Sequence, residues 1–480
     1  MSQNAALQTE RDIQDLNRLG YVQELFRDMG GFSNFAVSFS VISILTGATQ
    51  LYGYGLAHGG PLQITAGWWL VSIFTMTVAL AMAELASAYP TAGALYHWAT
   101  WLGGRRMGWF TACFNTIGQF AILAGIDYGL AMFLAPPLKE FFGIIVEPRI
   151  LYIFLLLSHA TLNHVGIRVV SWLNNFSAWY HIVVVAAILV ALARVGFAQP
   201  PEFLLQFHSS DGFSPRYSFI IGLLLAQWTL TGYDASAHVS EETVNPRKNA
   251  PWGIFLAVVI SVVFGTLMLS AITMSIPDLG QAVGFGDGAL TEIFRLRLGT
   301  GMASVLIFLI AGAMWLCGVA SLTSASRMVY AFARDGGLPL ATVWARVSPK
   351  FRTPANAIWG ITILAGLLVA VVDLLSAVVS MAVIALYISY GLPILARLRV
   401  RFRGMRDEVG PWNLGRFSTL NSLVAVAWIS FIMVVFVLPP NIAAGKGMAI
   451  LVGGLAVLWF GYVGRHFRGP KVHFFDREDS

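Results

Sequence analysis

The sequence predicts an all-α integral membrane protein that crosses the bilayer twelve times. Three observations carry that prediction. Of 480 residues, 57% are hydrophobic and only 11% are Asp, Glu, Lys or Arg, less than half of the roughly 25% expected of a soluble domain. Mean hydropathy is +0.71, and 47 Gly, 33 Phe and 15 Trp suit close-packed helices with aromatic residues at the lipid interfaces. The apolar runs are about 20 residues long, the length a helix needs to cross the hydrocarbon core. Disorder, a collagen-like chain and a disulfide scaffold are excluded, and Cys113 and Cys317, both inside apolar runs, read as small core residues.

Residues 1–30 are polar and charged, and the first apolar run is too long and too late for a cleaved signal. Spans follow near 32–57, 64–88, 106–134, 149–165, 172–194, 217–239, 252–275, 302–330, 355–373, 375–396, 418–438 and 447–464, with Asp373 dividing spans 9 and 10. If the N-terminus is inside, the cytoplasmic segments hold 23 of the 30 Lys and Arg. The other face holds Lys139, Arg149, Arg194, Arg216, Arg295, Arg297 and Lys446. That asymmetry predicts both termini in the cytoplasm, and the net charge of +6 then reflects topology rather than nucleic-acid binding. The cluster Arg397, Arg399, Arg401, Arg403 and Arg406 reads as an anchor on anionic membrane lipid.

Two spans look interrupted. Span 1 carries Ser43-Ile-Leu-Thr46-Gly47-Ala48-Thr49-Gln50, and span 6 carries Trp228-Thr229-Leu230-Thr231-Gly232-Tyr233-Asp234-Ala235-Ser236. They lie five spans apart, at matching places in two five-helix halves, and an odd number of crossings inverts the second half. Glycine-interrupted helices at corresponding positions point to a midplane binding site in a transporter, because broken backbone at that depth must be buried in protein or line a cavity. Gly47 and Gly232 also fit simple close-packing contacts.

Four stretches resemble the amino acid–polyamine–organocation superfamily of transporters. They are Ala83-Glu84-Leu85-Ala86-Ser87-Ala88-Tyr89-Pro90-Thr91-Ala92-Gly93-Ala94-Leu95-Tyr96 after span 2, Glu241-Glu242-Thr243-Val244-Asn245-Pro246-Arg247-Lys248-Asn249-Ala250-Pro251 after span 6, Ser326-Arg327-Met328-Val329-Tyr330-Ala331-Phe332-Ala333-Arg334-Asp335-Gly336-Gly337-Leu338-Pro339 at the end of span 8, and Arg352-Thr353-Pro354 before span 9. The run from Thr231 to His238 is most similar to the amino acid and choline transporter subgroup, which includes 4-aminobutyrate permeases. The resemblance implies the LeuT-type fold: a cytoplasmic segment 1–30, inverted repeats over 31–195 and 216–397, peripheral helices over 418–465, and a cytoplasmic tail 466–480. It also implies secondary transport by alternating access in the cell membrane.

The binding residues are expected at the breaks. Thr46, Gly47, Ala48 and Thr49 would hold a carboxylate on free backbone N–H groups at the positive end of a half-helix. The family's usual Gly-Ser-Gly is Thr46-Gly47-Ala48 here, so the resemblance does not fix how an α-amino acid is held. In span 6, Thr231, Gly232 and Asp234 would accept from an ammonium, since a carboxylate at membrane depth is functional by default. Trp228 resembles the aromatic that covers the substrate. In span 3, Asn115, Gln119 and Ile122 resemble pocket-facing positions, and Asp127 fits a cation-attracting vestibule. Asn115 and Gln119 equally fit polar contacts between helices. His181 occupies the position of a lysine that, in proton-coupled relatives, substitutes for sodium. Facing the span 1 break and Ser321 or Ser324, it is the candidate for proton coupling. Glu84, Glu241, Glu242, Arg27 and Arg327 are candidates for an inner gate of ion pairs.

The expected activity is proton-coupled import of a small amine-bearing metabolite, an amino acid with 4-aminobutyrate a strong candidate. A choline-type permease and an amino acid exchanger stay open, and the oligomeric state is not fixed. No cofactor or metal is expected, and the want of an acidic cluster in span 8 favours a proton over sodium. An intramembrane enzyme is disfavoured because His159 and His164 stand at i, i+5 with no ligand or nucleophile constellation around them. A channel would show charge rings or carbonyl-filter repeats.

Overall fold

A computed structural model describes residues 3–371 and 375–472. Among the described residues there is no strand, only one isolated bridge between Met29 and Thr243. Apart from breaks in spans 1 and 6, the expected spans are mainly helical where they are described, and among the described residues eight helices are long and apolar enough to cross a membrane. The division at Asp373 lies outside the described residues. The bundle buries one large apolar cluster, yet Trp172, Ile363 and Ile450 are 65%, 60% and 77% exposed on its outside. Large apolar side chains outward and polar groups inward is an arrangement that only lipid makes favourable.

Both predicted interruptions exist. Span 1 divides into span 1a (Gly31–Ile42) and span 1b (Ile44–Leu62). Span 6 divides into span 6a (Pro215–Gly222 and Leu224–Thr229) and span 6b (Ala235–His238), with non-helical backbone from 230 to 234. The two spans pair closely and antiparallel: Asn34 Nδ2 donates to Ser236 O, Ser38 Oγ donates to Tyr233 O, and Gly47 meets Thr229. A Cβ on Gly47 would lie 2.6 Å from Thr229 Cα, and Gly232, at φ 101°, would meet Val41 Cγ1 at 2.3 Å. Both glycines therefore serve close approach, and Gly232 also takes the positive φ of the span 6 break.

Span 3 (Arg105–Phe142), span 5 (Ile167–Val195), span 8 (Ala289–Arg334, kinked at Gly299) and span 10 (Leu375–Phe402) surround this pair. The N-terminal segment is part of the fold. It forms a helix over Gln3–Arg18 and buries Leu16, Leu19, Tyr21, Leu25 and Met29. Asp12 Oδ2 accepts from the Asn245 N–H at 2.7 Å, tying the segment to the turn after span 6.

Candidate functional site

The span 1 break falls at Ser43, three residues before the expected stretch. Ser43 adopts φ 31°, ψ 83°, a left-handed conformation, and its carbonyl accepts from Thr46 N at 2.8 Å and Gly47 N at 3.1 Å. The helix thus resumes at once, and Thr46–Thr49 form its first turns instead of unwound chain. The N–H groups of Ile44 and Leu45 begin the half-helix and have no acceptor within it. Against this break lies a cavity lined by Val41, Ile42, Thr46, Gly47, Ile122, Ile126, Trp228, Thr231 and Cys317. Its volume is about 10 Å³, room for about one water. An amino acid needs more, so admitting one requires the helices to move apart.

Five of the expected residues thus converge on one space: Thr46, Gly47, Ile122, Trp228 and Thr231. Ala48 and Thr49 are buried behind the lining. Ile126, one turn beyond Ile122 on the same helix face, and Cys317 complete the wall. Trp228 is held in place by Gln50, whose Oε1 accepts from Trp228 Nε1 at 3.1 Å while its Nε2 donates to the carbonyls of Gly125 and Ile126. Gln50 was in view as part of the polar patch in span 1, but nothing in the sequence pairs it with Trp228.

His181 does face the break. Its Nδ1 lies 2.8 Å from Ser177 O and 3.3 Å from Ser177 Oγ, and its Nε2 lies 2.7 Å from Ser43 Oγ. Ser43 Oγ is in turn 2.6 Å from Thr46 Oγ1, on the cavity wall. A carbonyl only accepts, so Nδ1 carries the hydrogen and Nε2 accepts from Ser43 in the neutral imidazole. Ser321 and Ser324, considered as further partners, do not bond to it; their hydroxyls are buried without a hydrogen-bond partner.

Asp234 lies behind the cavity, not in it. Its Oδ2 accepts from Asn115 Nδ2 at 3.4 Å and Gln119 Nε2 at 3.1 Å, and its Oδ1 accepts from Tyr390 Oη at 2.7 Å. His238 Nε2 stands 3.2 Å from the same Oδ2, while His238 Nδ1 is 2.9 Å from the carbonyl of Ala92. Nδ1 donates to that carbonyl, which turns Nε2 toward the carboxylate. Asn115 and Gln119 therefore solvate this carboxylate. Asp127 is also buried rather than in a vestibule: His159 Nδ1 meets its Oδ2 at 2.9 Å. Tyr390 and His238 were not singled out from the sequence, since each comes from a separate turn or helix, and His159 was weighed only as a metal ligand or enzyme residue, not as a partner of Asp127.

The charged end of the bundle is closed by ion pairs. Arg327 donates twice to Glu242, at 3.0 and 3.1 Å, with both side chains fully buried, and Arg334 donates twice to Glu241 at 3.0 and 2.8 Å. Burial works to raise Glu241, but the Arg334 guanidinium and the Ala92 N–H outweigh it and hold the carboxyl below its usual range. Arg27 donates to the carbonyls of Ser240 and Thr243. Glu84 pairs instead with Arg397, which also donates to Asp407, and Arg401 donates to Asp407 as well. Arg397 and Arg401 thus turn inward, leaving Arg399, Arg403 and Arg406 exposed for lipid. Beside them Asp335 Oδ2 accepts from Tyr21 and Tyr96 and meets His97 Nε2 at 3.1 Å.

A family model described as amino acid permease matches residues 30–461. The chain is 38% identical to "Amino-acid permease BAT1 homolog" of Oryza sativa subsp. japonica, over 95% of this chain and 94% of that protein. It is 38% identical to "Amino-acid permease BAT1" of Arabidopsis thaliana, over 95% of each. It is 28% identical to the "GABA-specific permease" of Saccharomyces cerevisiae, over 98% of this chain and 88% of that one. The chain belongs to the amino acid permease family: it is a multi-pass membrane transporter of small molecules and not an enzyme.

Proposed function

We propose that this permease imports a small amino acid together with a proton, that 4-aminobutyrate is its leading candidate substrate, and that it works in the cell membrane with both termini inside. The proposal includes twelve spans, the first ten forming two inverted five-helix repeats, with rocking of spans 1, 2, 6 and 7 about the break. The hydrogen-bonded chain from His181 through Ser43 to Thr46 is the observation that carries it.

With neutral His181, Ser43 donates to the imidazole and Thr46 donates to Ser43, so the threonine hydrogen points away from the cavity. A proton on Nε2 makes the imidazole a donor there. Ser43 then accepts from it and is free to turn its own hydrogen to Thr46, which releases the Thr46 hydrogen to donate elsewhere. The open direction is the cavity, where a substrate carboxylate would accept it beside the Ile44 and Leu45 N–H groups. Proton and carboxylate each favour the other's binding, which is all that coupling requires. The ammonium would meet carbonyls of the span 6 break, with Ile122 and Ile126 along the carbon chain and Trp228 over it. A choline-type cage is less well supported, because Asp127 and Asp234 already bond to protein donors and no charged side chain lines the cavity. The relative named as specific for GABA supports the substrate choice.

Uptake into proteoliposomes under an imposed pH gradient tests the proposal. Accumulation of 4-aminobutyrate that collapses with the gradient is the expected result, with His181→Ala losing the pH dependence. An unchanged pH profile in that variant would move coupling elsewhere, first to the His238–Asp234 pair.

A further inference from the structure

A second, much roomier cavity lies apart from the proposed transport site. It measures about 680 Å³ and opens at the charged end between the N-terminal segment, the start of span 5 and the residues before span 9. Four cations line it, Arg27, Arg168, Lys350 and Arg352, and no acidic side chain does. Arg168 lies over the Phe26 ring and has a long, exposed contact to Asp28 at 3.6 Å, worth little in water, while Arg27 lies 4.0 Å from Asp12. Lys350 sits over the Phe351 ring, and neither it nor Arg352 has a carboxylate partner among the described residues. Arg352 is at φ 55°, a conformation that side-chain-bearing residues rarely adopt.

The backbone adds to this field. Gly166 lines the cavity and caps span 5, a helix of 29 residues, at φ 141°. No side chain caps that end and no acidic residue occupies its first turn, so the orphan N–H groups and positive dipole end sit among the cations. Such an arrangement is repulsive within the protein and calls for an anion.

An apolar track leads out of the same cavity. Val165 and Val169 form its wall, and Trp172, Phe176 and Trp179 continue along span 5. Val165 ends the preceding helix (Pro148–Val165), and steps of three, four and three residues keep Val169, Trp172, Phe176 and Trp179 on one face of span 5. All are exposed, and Trp172 and Phe176 stack with centroids 5.8 Å apart. A cationic basin at the membrane surface, continuous with an exposed apolar ridge, matches an amphiphile with a phosphate head.

We infer that this cavity binds the phosphate of an anionic glycerophospholipid, whose acyl chain lies along the span 5 ridge. Arg168, Lys350, Arg352 and the span 5 amides receive the phosphate. Because Phe26 and Arg27 also line the cavity, the bound lipid pins the N-terminal segment to spans 5 and 9. This site is distinct from the exposed Arg399, Arg403 and Arg406 cluster.

Native mass spectrometry and thermal melting of the full-length protein, with dioctanoyl phosphatidylglycerol, dioctanoyl phosphatidylcholine and inorganic phosphate as probes, test the inference. The expected result is a one-to-one phosphatidylglycerol adduct with a raised melting temperature, and at least about ten-fold weaker binding of phosphatidylcholine. The triple variant Arg168→Gln/Lys350→Gln/Arg352→Gln should lose that adduct, while Arg399→Gln/Arg403→Gln/Arg406→Gln, which removes equal charge elsewhere, keeps it. Trp172→Ala/Phe176→Ala should weaken the lipid and leave phosphate binding unchanged. Equal binding by both triple variants, or equal binding of the two lipids, overturns the site. Inorganic phosphate binding as tightly as phosphatidylglycerol overturns the lipid assignment.

Discussion

The two ends of the transport cavity are closed by different physics. Toward Arg327, two bidentate Arg–Glu pairs, a capped turn and a buried N-terminal segment close the route. Toward Trp228, the indole is held by the Gln50 amide and packs against Gly125, with neutral, buried residues of span 1b beyond it. Opening the first end separates charges that have already left water. Opening the second breaks a neutral hydrogen bond and a packing contact. If the chain works by alternating access, as proposed, the first end is a thick gate of buried charges and the second a thinner, neutral one.

The largest effect should come from unbalancing the thick end. Arg327→Gln strands Glu242 fully buried without its partner, a loss of about 3–5 kcal/mol. Arg327→Gln/Glu242→Gln should recover most of it, since the charge that remained is gone too. Melting curves of the single and double variants check this, and equal losses would mean that the pair is not a closed unit. Next, Gly47→Val drives a side chain into the Thr229 backbone, an overpacking cost of about 1–3 kcal/mol that should abolish uptake while the bundle still folds. Retained uptake would show that spans 1b and 6a separate without strain.

Weaker still, Gln50→Ala removes the Trp228 partner, about 1 kcal/mol. It should open the thin end only. Labelling of Cys317, which lines the cavity, by a thiol reagent in a Cys113→Ser background should speed up, with no change in melting of the charged end. Unchanged labelling would leave Trp228 as a packing contact alone.

The smallest effect concerns pH at the thick end. Burial holds His97 below its usual range, against the pull of Asp335. Burial also works to raise Asp335, but His97, Tyr21 and Arg334 outweigh it and keep its carboxyl low. For a lowered histidine the unfolded chain takes up a proton first, at about pH 6.5. Its stabilisation is therefore complete above that pH and is lost as pH falls. The Asp335 contribution is present above about pH 3.9 and fades only in stronger acid. Melting temperature should decline gently from pH 7 to pH 5, and His97→Gln should flatten the decline.

Much of this was legible in the sequence, for reasons that also mark the boundary. Apolar runs with polar, glycine-bearing interruptions located both breaks, because a span that loses its helix must show small and polar residues there. Thr46, Gly47, Ile122, Trp228 and Thr231 met as expected. The site of the turn did not follow, since a serine at positive φ leaves no mark that Gly47 does not leave more strongly. Asp234 was conspicuous as a membrane carboxylate, but its satisfaction depends on Tyr390 from span 10 and His238 one turn on. The buried N-terminal segment did carry a signal, in the spacing of Leu16, Leu19 and Leu25 among its charges. Polar composition masked it.

A proton on His181, as proposed, is felt at the substrate through the hydrogen bonds of Ser43 and Thr46. The most direct measurement is the pH dependence of 4-aminobutyrate affinity in Ser43→Ala, which keeps His181 and cuts the chain. Wild-type affinity should rise as pH falls, and Ser43→Ala should bind with a flat profile like that of His181→Ala. A Ser43→Ala variant with the wild-type slope would contradict the account, because the proton would then be felt without the relay.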